Sequence, residues 1–277
     1  MAAGYTAAKE LGMIEATLTV PPALGPQAEA FARDQGVWGY ALEDADTGLL
    51  DAVRVRLWLE EPLSPAAVAA ALGPEATLAQ RAVNPADWTV AEALPIGQTA
   101  CWTPPGVAPL PGRTPLWIEA GAAFGDGAHP STALCVDWIE GAASLTGSLL
   151  DVGTGTGLLL ILAALRGAGP LAATELDPAA RAAAGRAFGA HGLNVDLGVG
   201  LPAGPFDWVL ANLPLHALLP LAADLVGLLG PGGRLVLAGF VAAAEPALKA
   251  ALPTNSRVVR RQEQAGWVLW EVEAPAG

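Results

Sequence analysis

The sequence predicts an α/β protein in which a doubly wound, Rossmann-like and mostly parallel sheet with an antiparallel last strand follows a smaller α+β unit. Three observations carry this reading. From Leu116 onward, strand-length apolar runs alternate with helix-length ones, the pattern of a parallel sheet covered on both faces. The last two strand-like runs, 256–261 and 268–272, are separated only by residues 262–267. That spacing permits a hairpin but no crossover helix, so one strand must turn antiparallel. The first 84 residues read β-α-β-β-α-β, the split βαβ or ferredoxin-like order.

The N-terminal elements follow from local chemistry. Residues 13–20 are β-rich, with Ile14, Ala16, Leu18 and Val20 on one face. Residues 26–35 read as a short helix, and 37–42 and 49–59 as strands joined across the turn residues of 44–48. Val53, Val55, Leu57 and Leu59 alternate with Arg54, Arg56 and Trp58, which predicts one buried face. Ser64 followed by Pro65 is an N-cap with proline at the first helical position, opening a helix over 65–72, and 77–83 returns as a strand. Residues 1–84 are therefore expected to form a separate recognition domain. Residues 85–115 hold seven prolines together with Trp88 and Trp102 and read as a linker with a short helix near 87–94. Residues 116–277 are expected to form the main domain, with strands at 148–152, 171–175, 207–211, 234–238, 256–261 and 268–272, and helices at 131–143, 157–166, 178–191, 215–228 and 242–252.

Composition narrows the class. The chain has 277 residues, 53% of them hydrophobic, enough for a substantial core and too many for intrinsic disorder. The longest clean apolar run, 158–165, has eight residues, where a membrane-spanning helix needs about 20. The N-terminus does not read as a secretory signal, and Cys101 and Cys135 lie far apart without metal-type spacing, so a cytoplasmic location is expected. Twenty-seven acidic residues against 14 basic ones give a net charge of −13. Such a surface repels phosphate backbones and favours a basic protein partner, so direct nucleic-acid binding is not expected; neither is membrane association. A monomer is expected. Neither histidines nor cysteines pair at metal-ligand spacing, and no metal is predicted.

The sharpest chemical signal is Leu149-Leu150-Asp151-Val152-Gly153-Thr154-Gly155-Thr156-Gly157-Leu158, an apolar strand ending in a carboxylate, then a glycine loop, then a helix. Such glycines permit a tight turn and close approach of a ligand to the backbone. A dinucleotide fingerprint needs its third glycine at 158; that position is leucine, and the glycine stands at 157. Asp151 suits an ammonium better than a pyrophosphate. Glu175 ends the next strand, 20 residues beyond Gly155, where a carboxylate accepts from ribose hydroxyls. Together these describe an adenosine ligand with a cationic tail and no diphosphate, which S-adenosyl-L-methionine fits. The competing reading is that Asp151 and Glu175 merely cap neighbouring helices.

The segment 151–157 resembles motif I of the class I S-adenosylmethionine-dependent methyltransferases. Glu119, Phe124, Gly125, Gly127, His129 and Thr132 fall on the E-P-G-x-A-F-G-T-G-x-H-x-T-T signature of the PrmA family, which methylates ribosomal protein L11; Asp126 stands at a signature threonine. Ala211-Asn212-Leu213 resembles that family's A-N-L segment, and 229–239 its late glycine turn and strand. The resemblance implies methyl transfer to lysine ε-amino and N-terminal α-amino groups of ribosomal protein L11, with residues 1–84 gripping the substrate. It implies cofactor contacts from Phe124, Thr132, Asp151, Gly153, Thr154, Gly155, Gly157, Glu175 and Asn212. Asn212 and the backbone carbonyls of Leu213 and Pro214 would hold the amine, and His129 would form the site wall or start a helix. Asn212 as a cap of the helix from Leu215, Thr132 as a helix N-cap and Phe124 as core packing are the structural alternatives. His191 reads as a helix-end cap and His216 as a solvated helix residue.

Overall fold

The computed structural model describes residues 13–35, 39–43, 52–59, 61–83, 93–103, 106–119 and 129–274. The chain divides into two compact units, Met1–Ala91 and Glu92–Gly277.

In the first unit β1 (Met13–Val20), α1 (Gly25–Asp34), β2 (Gly39–Glu43), β3 (Val53–Leu59), α2 (Pro65–Leu72) and β4 (Thr77–Val83) follow the expected order. The sheet runs β2-β3-β1-β4, antiparallel throughout, which is the ferredoxin-like arrangement. Ala16, Leu18, Val20, Val53, Val55 and Leu57 are buried against Ala28, Ala32, Val68 and Leu72, so the period-2 apolar faces of the strands meet the helices. The Ser64 hydroxyl accepts the Ala67 N–H at 3.4 Å, capping α2. The helix expected near 87–94 falls mostly outside the described residues.

The second unit opens with three short strands, β5 (Leu94–Ile96), β6 (Ala100–Trp102) and β7 (Thr114–Leu116), in a sheet of their own. Much of the proline-rich stretch read as linker thus carries strands, and Ile96, Ala100 and Leu116 join the core of the second unit. The turn between β5 and β6 is pinned by Glu140, whose carboxylate accepts from the Gln98 N–H at 2.8 Å and from the Thr99 N–H at 2.8 Å. Trp102 donates its indole N–H to the Ile118 carbonyl at 3.1 Å.

The main sheet is built from β8 (Gly147–Val152), β9 (Ala168–Thr174), β10 (Val195–Gly198), β11 (Phe206–Asn212), β12 (Leu229–Val241), β13 (Arg257–Gln264) and β14 (Trp267–Glu273). Its order is β10-β9-β8-β11-β12-β14-β13. The first five are parallel and β14 is antiparallel to both neighbours, so the expected hairpin forms, with its turn at residues 265–266 and the ends of the 262–267 stretch paired in the strands. The helices are α3 (Pro130–Gly141), α4 (Leu158–Leu165), α5 (Pro178–Ala190), α6 (Leu215–Gly227) and α7 (Glu245–Ala251). Leu149, Leu150, Val209, Leu210, Leu235, Val236 and Leu237 are buried, as expected for central strands covered on both faces. From β8 the chain winds to one side through β9 and β10, then returns to place β11 and β12 on the other. Ligands of open α/β sheets bind at such a switch point, at the carboxyl ends of the strands.

Candidate active site

The carboxyl ends of β8 and β11 carry the loop 153–157 and the turn that begins at Asn212. Gly153, Gly155 and Gly157 all have positive φ, of 71°, 55° and 83°. Two of these positions also lie close to neighbouring side chains: a Cβ on Gly157 would lie 2.6 Å from Phe188 Cε1, and one on Gly153 would lie 2.3 Å from Leu213 Cδ2, the tip of a flexible side chain. The Gly153 and Thr154 N–H groups both donate to the Thr174 carbonyl at 2.9 Å, folding the loop back onto the end of β9.

Asp151 is 2% exposed and accepts the Thr154 hydroxyl at 2.7 Å. Burial disfavours its ionised form, the Thr154 hydrogen bond partly offsets this, and repulsion from Glu175 adds to it; the carboxyl is pushed up to about 7. Cys135 is buried within reach of that carboxylate, and its thiol is pushed up, first by desolvation and then by Asp151. Glu175 ties the glycine loop to the turn before α5: one oxygen accepts the Gly155 N–H at 3.0 Å and the other the Asp177 N–H at 3.0 Å. Neither carboxylate caps a helix, since α4 starts on Gly157 without a side-chain cap and α5 is capped by Asp177, which accepts the Ala180 N–H at 2.7 Å. The helix-cap alternative for Asp151 and Glu175 is thereby removed.

Asn212 ends β11. Its amide nitrogen donates to Thr132 Oγ1 at 3.4 Å, while its carbonyl oxygen is buried and has no hydrogen-bond partner among the described residues. It does not cap α6, which begins on Pro214 without a side-chain cap. Thr132 is 1% exposed and lies inside α3, whose N-cap is His129. One expectation needs correction. The Pro214 carbonyl, expected to help hold the amine, instead accepts the Ala217 and Leu218 N–H groups at 2.9 and 3.1 Å, because the proline opens α6. Leu213 donates its N–H to the Ala238 carbonyl at 3.1 Å and packs its side chain on Gly153.

His129 caps α3. Its Nδ1 accepts the Ser131 N–H at 3.2 Å, and its ring meets Trp267 edge to face at 4.5 Å. The structure thus gives His129 the helix-start role, one turn before Thr132. His191 ends α5, where its Nε2 accepts the Trp117 N–H at 3.0 Å; His216 is exposed. Phe124 and Asp126 lie outside the described residues. The fold brings Thr132, Asp151, Gly153, Thr154, Gly155, Gly157, Glu175, Asn212 and Leu213 to one end of the sheet. It also adds residues the sequence reading passed over. Leu176 and Val199, 79% and 56% exposed, follow β9 and β10 on the same edge, where Thr174 pairs with Gly198 and the Glu175 N–H donates to the Gly198 carbonyl at 3.0 Å. Leu176 was visible as the apolar neighbour of Glu175; Val199 had no signal.

Among the described residues there is no group of three or more histidine, cysteine or acidic side chains placed to hold a metal ion. No described helix is long and apolar enough to cross a membrane.

The strand order, the reversed last hairpin and the carboxylate–glycine loop at the switch point define the class I methyltransferase fold. Residues 99–274 match the family model described as ribosomal protein L11 methyltransferase (PrmA), and the chain belongs to that family. The ribosomal protein L11 methyltransferase of Azotobacter vinelandii is 39% identical over 166 residues, 58% of this chain and 57% of that protein. The one from Paraburkholderia phymatum is 34% identical over 234 residues, 78% of this chain and 76% of that protein. The chain therefore matches little more than half the length of some of these relatives. The crystal structure of a ribosomal protein L11 methylase from Lactobacillus delbrueckii subsp. bulgaricus shares the fold, with a TM-score of 0.56 at 23% identity over 67% of this chain and all of that one.

Proposed function

We propose that the second unit binds S-adenosyl-L-methionine at the carboxyl ends of β8, β9 and β11 and methylates amino groups of ribosomal protein L11. The observation that carries this reading is the buried carbonyl of Asn212, without a hydrogen-bond partner among the described residues, at the same end of the sheet as a loop whose Gly153, Gly155 and Gly157 all have positive φ. A buried acceptor without a donor is unfavourable by itself, and an amine N–H supplies the donor.

The residues present fit the cofactor. Each Glu175 oxygen accepts one backbone N–H and keeps a lone pair for a ribose hydroxyl. Leu176 and Val199 offer apolar surface to the adenine. Asp151, with a carboxyl poised near neutrality, ionises fully when an ammonium comes close. When bound, the cofactor supplies an electrophilic methyl group that passes to the lone pair of a neutral amine, as the sulfur–methyl bond breaks and its electron pair stays on sulfur. A free lysine is neutral in only on the order of one molecule in a thousand at pH 7. The protein's work is therefore to desolvate the amine, to accept its N–H through Asn212 and to hold its lone pair in line.

The first unit serves recognition of the protein substrate. A net charge of −13 steers a basic partner, and the reaction belongs in the cytoplasm, with the enzyme monomeric. Incubating the purified protein with methyl-labelled S-adenosyl-L-methionine and ribosomal proteins, followed by mass spectrometry, tests this. The expected result is a mass gain on ribosomal protein L11; label on RNA or on small molecules alone would refute it.

A further inference from the structure

We infer that Gly239 is a positioning residue for methyl transfer: the side chain it lacks seats the Asn212–Leu213 turn and so aims the amine-accepting carbonyl. This rests on the methyl-transfer reading above.

β12 breaks its pairing at this point. Against β14 the register jumps from Leu237 opposite Trp270 to Phe240 opposite Val268, so Ala238 and Gly239 together face one residue, a β-bulge. On the other side of β12, Asn212 pairs with Ala238, and the Leu213 N–H donates to the Ala238 carbonyl. The bulge thus stands where β11 gives way to the turn. Gly239 has φ of +91°, and a Cβ there would lie 2.2 Å from the Leu213 oxygen, 2.7 Å from its carbonyl carbon and 3.0 Å from its nitrogen. These are backbone atoms and cannot rotate away. From the opposite side, Gly153 meets the Leu213 side chain just as closely. The two strands that flank β11 therefore each place a glycine against the same residue.

Any side chain at 239 must push the Leu213 carbonyl back by about 0.8 Å, from 2.2 Å to the 3.0 Å below which Cβ contacts essentially never occur. Asn212 is the preceding residue, and its oxygen, without a partner among the described residues, moves with the turn. A displacement of about 1 Å at a reacting group lowers rate by about a hundredfold. Glu175 and the 153–157 loop hang from β8 and β9 and only the end of β11 moves, so cofactor affinity is expected to change much less than kcat.

The test compares wild type, Gly239→Ala and Gly239→Asn for S-adenosyl-L-methionine affinity by calorimetry and for kcat on ribosomal protein L11. Asparagine tolerates positive φ and so separates backbone strain from the lost seat. Both variants are expected to have dissociation constants within about threefold of wild type and kcat lower by about ten- to a hundredfold. Unchanged kcat in either folded variant overturns the inference. So does an affinity loss as large as the kcat loss, which makes Gly239 part of the cofactor pocket, and so does failure of both variants to fold, which makes it a requirement of the bulge alone. Wild-type protein that transfers no methyl group overturns the functional reading itself, before any variant is compared.

Discussion

Replacing Asp151 by asparagine should flatten the pH dependence of stability in the second unit. The side chain is 2% exposed and its carboxyl is pushed up to about 7, against about 3.9 in an unfolded chain. The folded state therefore holds a proton that the unfolded state releases. The stability this proton confers is complete below about pH 3.9 and is lost as pH rises through about 7. Between pH 5.5 and 8.5 the loss is about 2 kcal/mol, and the full displacement between the two states corresponds to about 4 kcal/mol. Asparagine keeps an oxygen for the Thr154 hydroxyl, which Asp151 accepts at 2.7 Å, but it has no proton to lose. Urea unfolding of both proteins, followed by tryptophan fluorescence at the two pH values, should show wild type losing about 2 kcal/mol more than Asp151→Asn as pH rises. Parallel losses would refute the reasoning, because they would mean that the carboxylate is solvated or stably paired.

Three further outcomes are expected. Glu175→Ala should weaken S-adenosyl-L-methionine binding by about 1–3 kcal/mol, the usual value of a lost hydrogen bond to a charged group; unchanged calorimetric affinity would show that Glu175 does not meet the ribose. Asn212→Ala should lower kcat on ribosomal protein L11 by about five- to a hundredfold, for the same loss of one amine-orienting bond, and equal rates in steady-state assays would remove Asn212 from the chemistry. Gly157→Ala should destabilise the second unit by about 1–3 kcal/mol, since its φ of 83° is costly for alanine and the new Cβ meets Phe188; a denaturation midpoint equal to wild type would contradict this.

What the sequence made legible was whatever local chemistry decides. Ser64–Pro65 marked the start of α2, and the alternation through Val53, Val55 and Leu57 marked a half-buried strand. The short 262–267 connection required the final hairpin. The same holds at the site, where the position of Asp151, the third glycine at 157 and the spacing to Glu175 located the cleft. β10 went unread because Val195–Gly198 is only four residues long and has no apolar run; its place is set by pairing with β9. The strands of 94–116 hid behind prolines, which sit in short peripheral strands, and their anchor, Glu140, is distant in sequence. The Pro214 carbonyl looked free because the helix that consumes it begins at the next residue. Gly239 stands in the sequence only as the end of the 229–239 stretch; the approach of the Leu213 backbone shows what it does.

Calorimetric titration of the purified protein with S-adenosyl-L-methionine and, in parallel, with NAD addresses the central claim most directly, since both are adenosine ligands that an open α/β switch point can hold. A glycine at 157 in place of 158, with Asp151 beneath the loop, predicts binding of the sulfonium nucleoside and little or none of the dinucleotide; tighter binding of NAD would contradict the account.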